Sequence, residues 1–96
     1  MNRVELTACI VEVSSLRYTP SGQPVVDIQL SHESLIEEAG IQRKVGFSMK
    51  SKAIGFLAEK LILLPLDSTF LFNGFLASGS NPKNVVFHIQ SYQSVS

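Results

Sequence analysis

Ile41-Gln42-Arg43-Lys44-Val45-Gly46-Phe47-Ser48-Met49-Lys50, followed closely by Ala53-Ile54-Gly55-Phe56-Leu57-Ala58-Glu59-Lys60-Leu61, places a period-two stretch directly before one of helical spacing. In the first part Val45, Phe47 and Met49 share one side, and Gln42, Lys44, Gly46, Ser48 and Lys50 share the other. That alternation is the signature of a half-buried strand with a small, basic outer face. In the second part apolar residues 54, 57, 58 and 61 recur at helical spacing, while Gly55 weakens a helix, so a short helix and an ordered loop both fit. Outward from this centre the period stays close to two. Val4, Leu6, Ala8 and Ile10 mark a first strand within 3–13, and Val26, Ile28 and Leu30 a second that ends near His32 or Glu33. Phe70 to Ala77 and Val85 to Tyr92 supply a fourth and a fifth.

Turn residues separate these runs. Thr19-Pro20-Ser21-Gly22-Gln23-Pro24 reverses the chain after the first strand, Glu37-Glu38-Ala39-Gly40 forms a polar connection, and Gly79-Ser80-Asn81-Pro82-Lys83-Asn84 precedes the last strand. Five strands, with the one helix candidate between the third and fourth, match the order of the OB-fold, an all-β five-stranded Greek-key barrel. The fourth strand is apolar on both sides, with Phe70, Phe72 and Leu76 opposite Leu71 and Phe75. A barrel buries only one of those faces, so the helix region or a second copy must cover the other, and a homodimer is expected. An open edge on the first strand would place Val4 and Leu6 at that dimer interface, with burial in the core as the alternative.

The 96 residues and 10.5 kDa hold a single domain, 1–96, with a modest core. Eight basic residues balance eight acidic ones, so nucleic-acid binding requires a local patch. Such a patch exists in the order of the charges: residues 1–41 are net acidic, 42–60 carry Arg43, Lys44, Lys50, Lys52 and Lys60 against Glu59, and the remainder cancels. A single cysteine, Cys9, makes no internal disulfide, the N-terminus lacks a long apolar stretch, and Pro65 breaks the run Leu61 to Leu66. A cytoplasmic location without a membrane partner is expected. His32, His88 and Cys9 match no zinc spacing, and the chain has no Gly-rich phosphate loop, so neither metal, cofactor nor enzymatic activity is expected.

Asn2-Arg3-Val4-Glu5-Leu6 and Leu16-Arg17-Tyr18-Thr19-Pro20-Ser21-Gly22-Gln23-Pro24-Val25 resemble the opening of bacterial single-stranded DNA-binding proteins. His32-Glu33-Ser34-Leu35-Ile36-Glu37-Glu38-Ala39-Gly40-Ile41-Gln42-Arg43-Lys44-Val45 is similar, more narrowly, to the primosomal replication protein N family, short dimeric OB-folds. The resemblance implies a homodimer that binds single-stranded DNA and helps the primosomal helicase, with other primosome proteins, reload the replicative helicase at stalled forks. Family aromatics that serve DNA align with Ile41 and Gly46, and family lysines crowd the loop where this chain has only Lys83. Without those rings and cations the expected binding is weak.

The candidate contacts are Arg17 and Tyr18 in the first loop, Arg43, Lys44 and Lys50 on the third strand, and Lys83 in the last loop. Arginine holds a phosphate with two donors and tyrosine stacks on a base. Against these stand an ion pair of Arg43 with Glu37 or Glu38, a solvated edge for the lysines, and packing under the turn for Tyr18. Phe47, on the side of Val45 and Met49, is expected in the core. Two further functions fit the same fold: a protein adaptor with a vestigial DNA surface, and a general single-stranded DNA- or RNA-binding OB module.

Overall fold

The computed structural model describes residues 1–95. Six strands and one helix follow in the order β1 (Val4–Val13), β2 (Arg17–Tyr18), β3 (Pro24–Glu38), β4 (Ile41–Ile54), α1 (Phe56–Leu61), β5 (Thr69–Ser78) and β6 (Val85–Ser94). The sheet runs β1-β5-β6-β4-β3-β2, and a second pairing of β1 with β3 closes it into a five-stranded barrel, with β2 as a short flap against β3. All pairings are antiparallel except β4 with β6, which is parallel at Ser51–Phe87 and Lys52–His88. A parallel pair needs a crossover, and α1 with β5 supplies it. This is the OB-fold order that the spacing of the strands implied.

Alternation puts Ala8 and Ile10 of β1, Val26, Ile28 and Leu30 of β3, Ala53 of β4, Phe72 of β5 and Phe87 and Ile89 of β6 inside, and Ala58 and Leu61 of α1 plug one end. Burying these side chains drives closure, each large one contributing about 1.5–3 kcal/mol. Ser51 is the buried polar side chain, and its hydroxyl donates to the Ile28 carbonyl at 2.7 Å. Gly74 is required where β5 crosses β6: a Cβ there would overlap the His88 carbonyl oxygen and lie 2.9 Å from Phe87 Cε1.

The ambiguous segment resolves into a helix because Gly55 lies before it rather than in it. Gly55 takes φ 87° at the N-cap, a value that would strain an L residue, and α1 begins at Phe56. The second strand is longer than its sequence pattern indicated. β3 continues to Glu38, so Glu37 and Glu38 of the expected connection are strand, and the turn is only Ala39 and Gly40, at φ 53° and 79°. Both signs suit a tight hairpin. Pairing runs without interruption from Val25–Ile54 to Glu38–Ile41, so the hairpin projects beyond the barrel. Leu35, Ile36 and Ile41 are all exposed there, so a ribbon solvated on both faces carries no alternation to mark its length.

That projection also corrects the placement of Phe47. It lies on the inward side of β4, yet it is 40% exposed, with its ring centroid 4.9 Å from His32. At this level β3 and β4 pair only with each other among the described residues, because the β1–β3 pairing ends at Cys9–Ser31. His32 Nδ1 donates to the Thr7 carbonyl at 2.6 Å, and Nε2 lies 2.9 Å from the Ser34 hydroxyl, which ties the base of the hairpin to β1. Because a carbonyl only accepts, that bond fixes the hydrogen on Nδ1.

Candidate single-strand nucleic-acid interface

Cross-strand register decides which cations share a surface. On the outer face of β3 and β4 the facing pairs are Asp27–Lys52, Gln29–Lys50 and Ser31–Ser48. A groove of about 610 Å³ runs over this face, bounded by Glu12 to Ser14 of β1 and its loop, by Arg17, and by Val86 at the start of β6. Its position between the loop after β1 and the loop before β6 is where OB-folds receive oligonucleotides. Arg17, Lys50 and Lys52 line it, with Glu12 and Asp27 as its acids.

Arg17 is held by β2, whose two residues pair with Val25 and Pro24. Its guanidinium makes a two-pronged ion pair with Asp27, at 2.5 and 3.2 Å, and Asp27 takes its backbone place through N–H donation to the Ser14 hydroxyl at 3.0 Å. The bonds to Asp27 raise the Arg17 pKa above its usual value. Both side chains are about half exposed (48% and 49%), so the pair is worth about 0–1 kcal/mol and a phosphate can compete for the same two donors. Lys50 and Lys52 make no ion pair among the described residues, which leaves their charge for a ligand. The groove has no aromatic lining residue.

The other candidates lie elsewhere. Arg43 and Lys44 stand on the projecting hairpin on opposite faces of β4, opposite Ile36 and Leu35. Arg43 Nη1 donates to Glu38 Oε1 at 2.7 Å, an exposed pair, while Lys44 has no acidic partner among the described residues. Lys83 is exposed in the loop between β5 and β6. Tyr18 is 65% exposed, so it does not pack under the turn and its ring is free to stack.

This architecture has close counterparts. A family model described as another single-strand binding protein family matches residues 2–91. Replication restart protein PriB of Bordetella pertussis is 35% identical over 96 residues, covering 99% of this chain and 90% of that protein. This chain belongs to the PriB family. PriB of Nitrosomonas europaea is 37% identical over 90 residues, covering 93% of this chain and 83% of its own. The solved structure of PriB from Ralstonia solanacearum is similar with a TM-score of 0.89 at 35% identity, covering 98% of this chain and 97% of that one. The single-stranded DNA binding protein of Thermus aquaticus shares the fold, with a TM-score of 0.78 at 22% identity; this chain covers 50% of it.

In this PriB-family chain Ile41 is 69% exposed at the hairpin tip, and Gly46 lies opposite Glu33, so neither position brings a ring to the surface. Val4 and Leu6 are partly buried and pack against the barrel core. Lys52 belongs to the basic stretch of the sequence but not to the expected contacts, and it too lines the groove. It lies beyond the expected end of its strand at Lys50, and the register with Asp27 is what places it in the groove.

His88 is the neighbour of Lys52 across the parallel pairing, and burial and then the charge of Lys52 push its imidazole below the ordinary 6.5. The unfolded chain therefore takes up this proton first, and the stabilisation present above about pH 6.5 is lost on acidification. Denaturant unfolding followed from pH 7.5 to pH 5 should show a falling midpoint, and His88→Gln should flatten that fall. An unchanged slope in the variant would contradict this assignment.

Proposed function

We propose that this chain is a non-enzymatic accessory protein of replication restart that holds single-stranded DNA weakly and presents it to the primosomal helicase. The observation carrying this reading is the groove on β3 and β4, where Arg17, Lys50 and Lys52 converge between the two loops that flank OB-fold ligands. Its cations suit a phosphate backbone, and its lack of rings suits weak binding, since a stacked base is worth about 1–3 kcal/mol. Arg43, Lys44, Lys83 and Tyr18 extend the surface as secondary contacts from the hairpin and loops. The family relatives, named for replication restart, supply the cellular context. Competition for the protein between labelled single-stranded DNA, duplex DNA and structured RNA tests the ligand class. Preference for the single strand is expected, and equal displacement by structured RNA would overturn the reading in favour of a general OB module.

The same reading includes a homodimer. From Val4 to Ala8, β1 pairs only with β5, because its pairing with β3 begins at Cys9. One edge of that segment is open apart from the Thr7 carbonyl, which accepts from His32. Unpaired edges invite a second strand, and partly exposed Val4 and Leu6 flank this one. Sedimentation equilibrium at micromolar concentration should give twice the chain mass, and Leu6→Asp should give the monomer. A wild-type monomer, or a variant that stays dimeric, would contradict the edge assignment.

A further inference from the structure

Phe75 on β5 and His88 on β6 are directly opposed in the register, and their rings stack with centroids 4.9 Å apart and planes 12° from parallel. Both point outward from the barrel and remain partly exposed. They line a separate hollow of about 340 Å³ with Lys52, Ile54, Leu57 and Gln90, and no carboxylate lines it. Lys52 also lines the basic groove, so the two surfaces are continuous through one cation. The groove supplies charge without rings. The hollow supplies rings, a side-chain amide able to donate and accept at a base edge, and one ammonium.

We propose that Phe75 and His88 form a nucleobase-stacking platform on the outer wall of β5 and β6, fed by a strand whose phosphate is held on Lys52. The platform rests on the single-strand reading above and extends the path of the strand beyond the groove. It receives one unpaired base against the exposed side of the stacked rings, with the adjoining backbone passing over Lys52. A base inside a duplex presents no face to such a platform, so this site selects for single strands as well as adding affinity.

The test is fluorescence anisotropy of a labelled oligothymidine with the full chain. Phe75→Leu should weaken binding by about fivefold to a hundredfold, the range for one stacked base. The dependence of log affinity on log salt should keep its slope, because no phosphate contact is removed. Phe75→Tyr, which keeps the ring, should restore binding, and His88→Gln should weaken it. Ultraviolet irradiation of the wild-type complex should attach thymidine to the segment containing Phe75, a readout that needs no variant. Wild-type affinity in Phe75→Leu, with Lys50→Ala weakened, would overturn the platform and leave the groove standing. Absence of oligothymidine binding by the wild type would overturn both.

Discussion

Phe72→Ala is expected to destabilise the protein by about 3–5 kcal/mol, the range for truncating a fully buried ring. Phe72 is fully buried on β5, paired on one side with Leu6 of β1 and on the other with Tyr92 of β6. Its ring meets Phe70 edge-on, with centroids 6.1 Å apart and planes at 63°. β-strands fixed by hydrogen bonds on both sides cannot collapse into the space a ring leaves, so the cost includes the cavity as well as the lost transfer energy. Domains of this size hold about 5–15 kcal/mol in total, so the variant should unfold on the order of 20 °C lower. Thermal unfolding by circular dichroism checks this, and a loss below about 1 kcal/mol would contradict the packing.

The barrel was legible because its wall obeys a period of two with one helix candidate in a diagnostic place. Ile28, Leu30, Phe72 and Phe87 alternate with polar or smaller residues, and burial follows that alternation. Two features escaped the pattern for physical reasons. The projecting hairpin has solvent on both faces, so neither the end of β3 at Glu38 nor the exposure of Phe47 has a periodic signal. The convergence of Arg17 with Lys52 depends on Asp27, which bonds the first and faces the second across the sheet, a relation of register that spacing along the chain does not carry. The same is true of Phe75 and His88, 13 residues apart in sequence and stacked in space. Conversely, Arg43 and Lys44 are adjacent in sequence and face opposite ways.

Combined substitution of Arg17, Lys50 and Lys52 by alanine should produce the largest functional loss. Each cation is expected to contribute on the order of 1 kcal/mol through a phosphate contact, so together they lower affinity for single-stranded DNA by about a hundredfold. Stability should change little, because all three lie on the outer face and the Arg17–Asp27 pair is an exposed one. Lys83→Ala against Lys50→Ala is the matched comparison: each removes one exposed cation, but Lys83 lies in a loop outside the groove lining and should cost far less. Anisotropy with Lys50→Ala and with Lys83→Ala separates a localised groove from diffuse attraction by surface charge. Equal losses in the two would contradict the groove.

In the proposed function a small set of converging cations, rather than net charge, holds the strand. Single-strand affinity measured at several salt concentrations counts those cations. With Arg17, Lys50 and Lys52 each neutralising one phosphate, log affinity against log salt should fall with a slope of about −2, at affinities well short of nanomolar. A slope near zero, or no binding even at low salt, would contradict the claim and leave a protein adaptor as the function of this barrel.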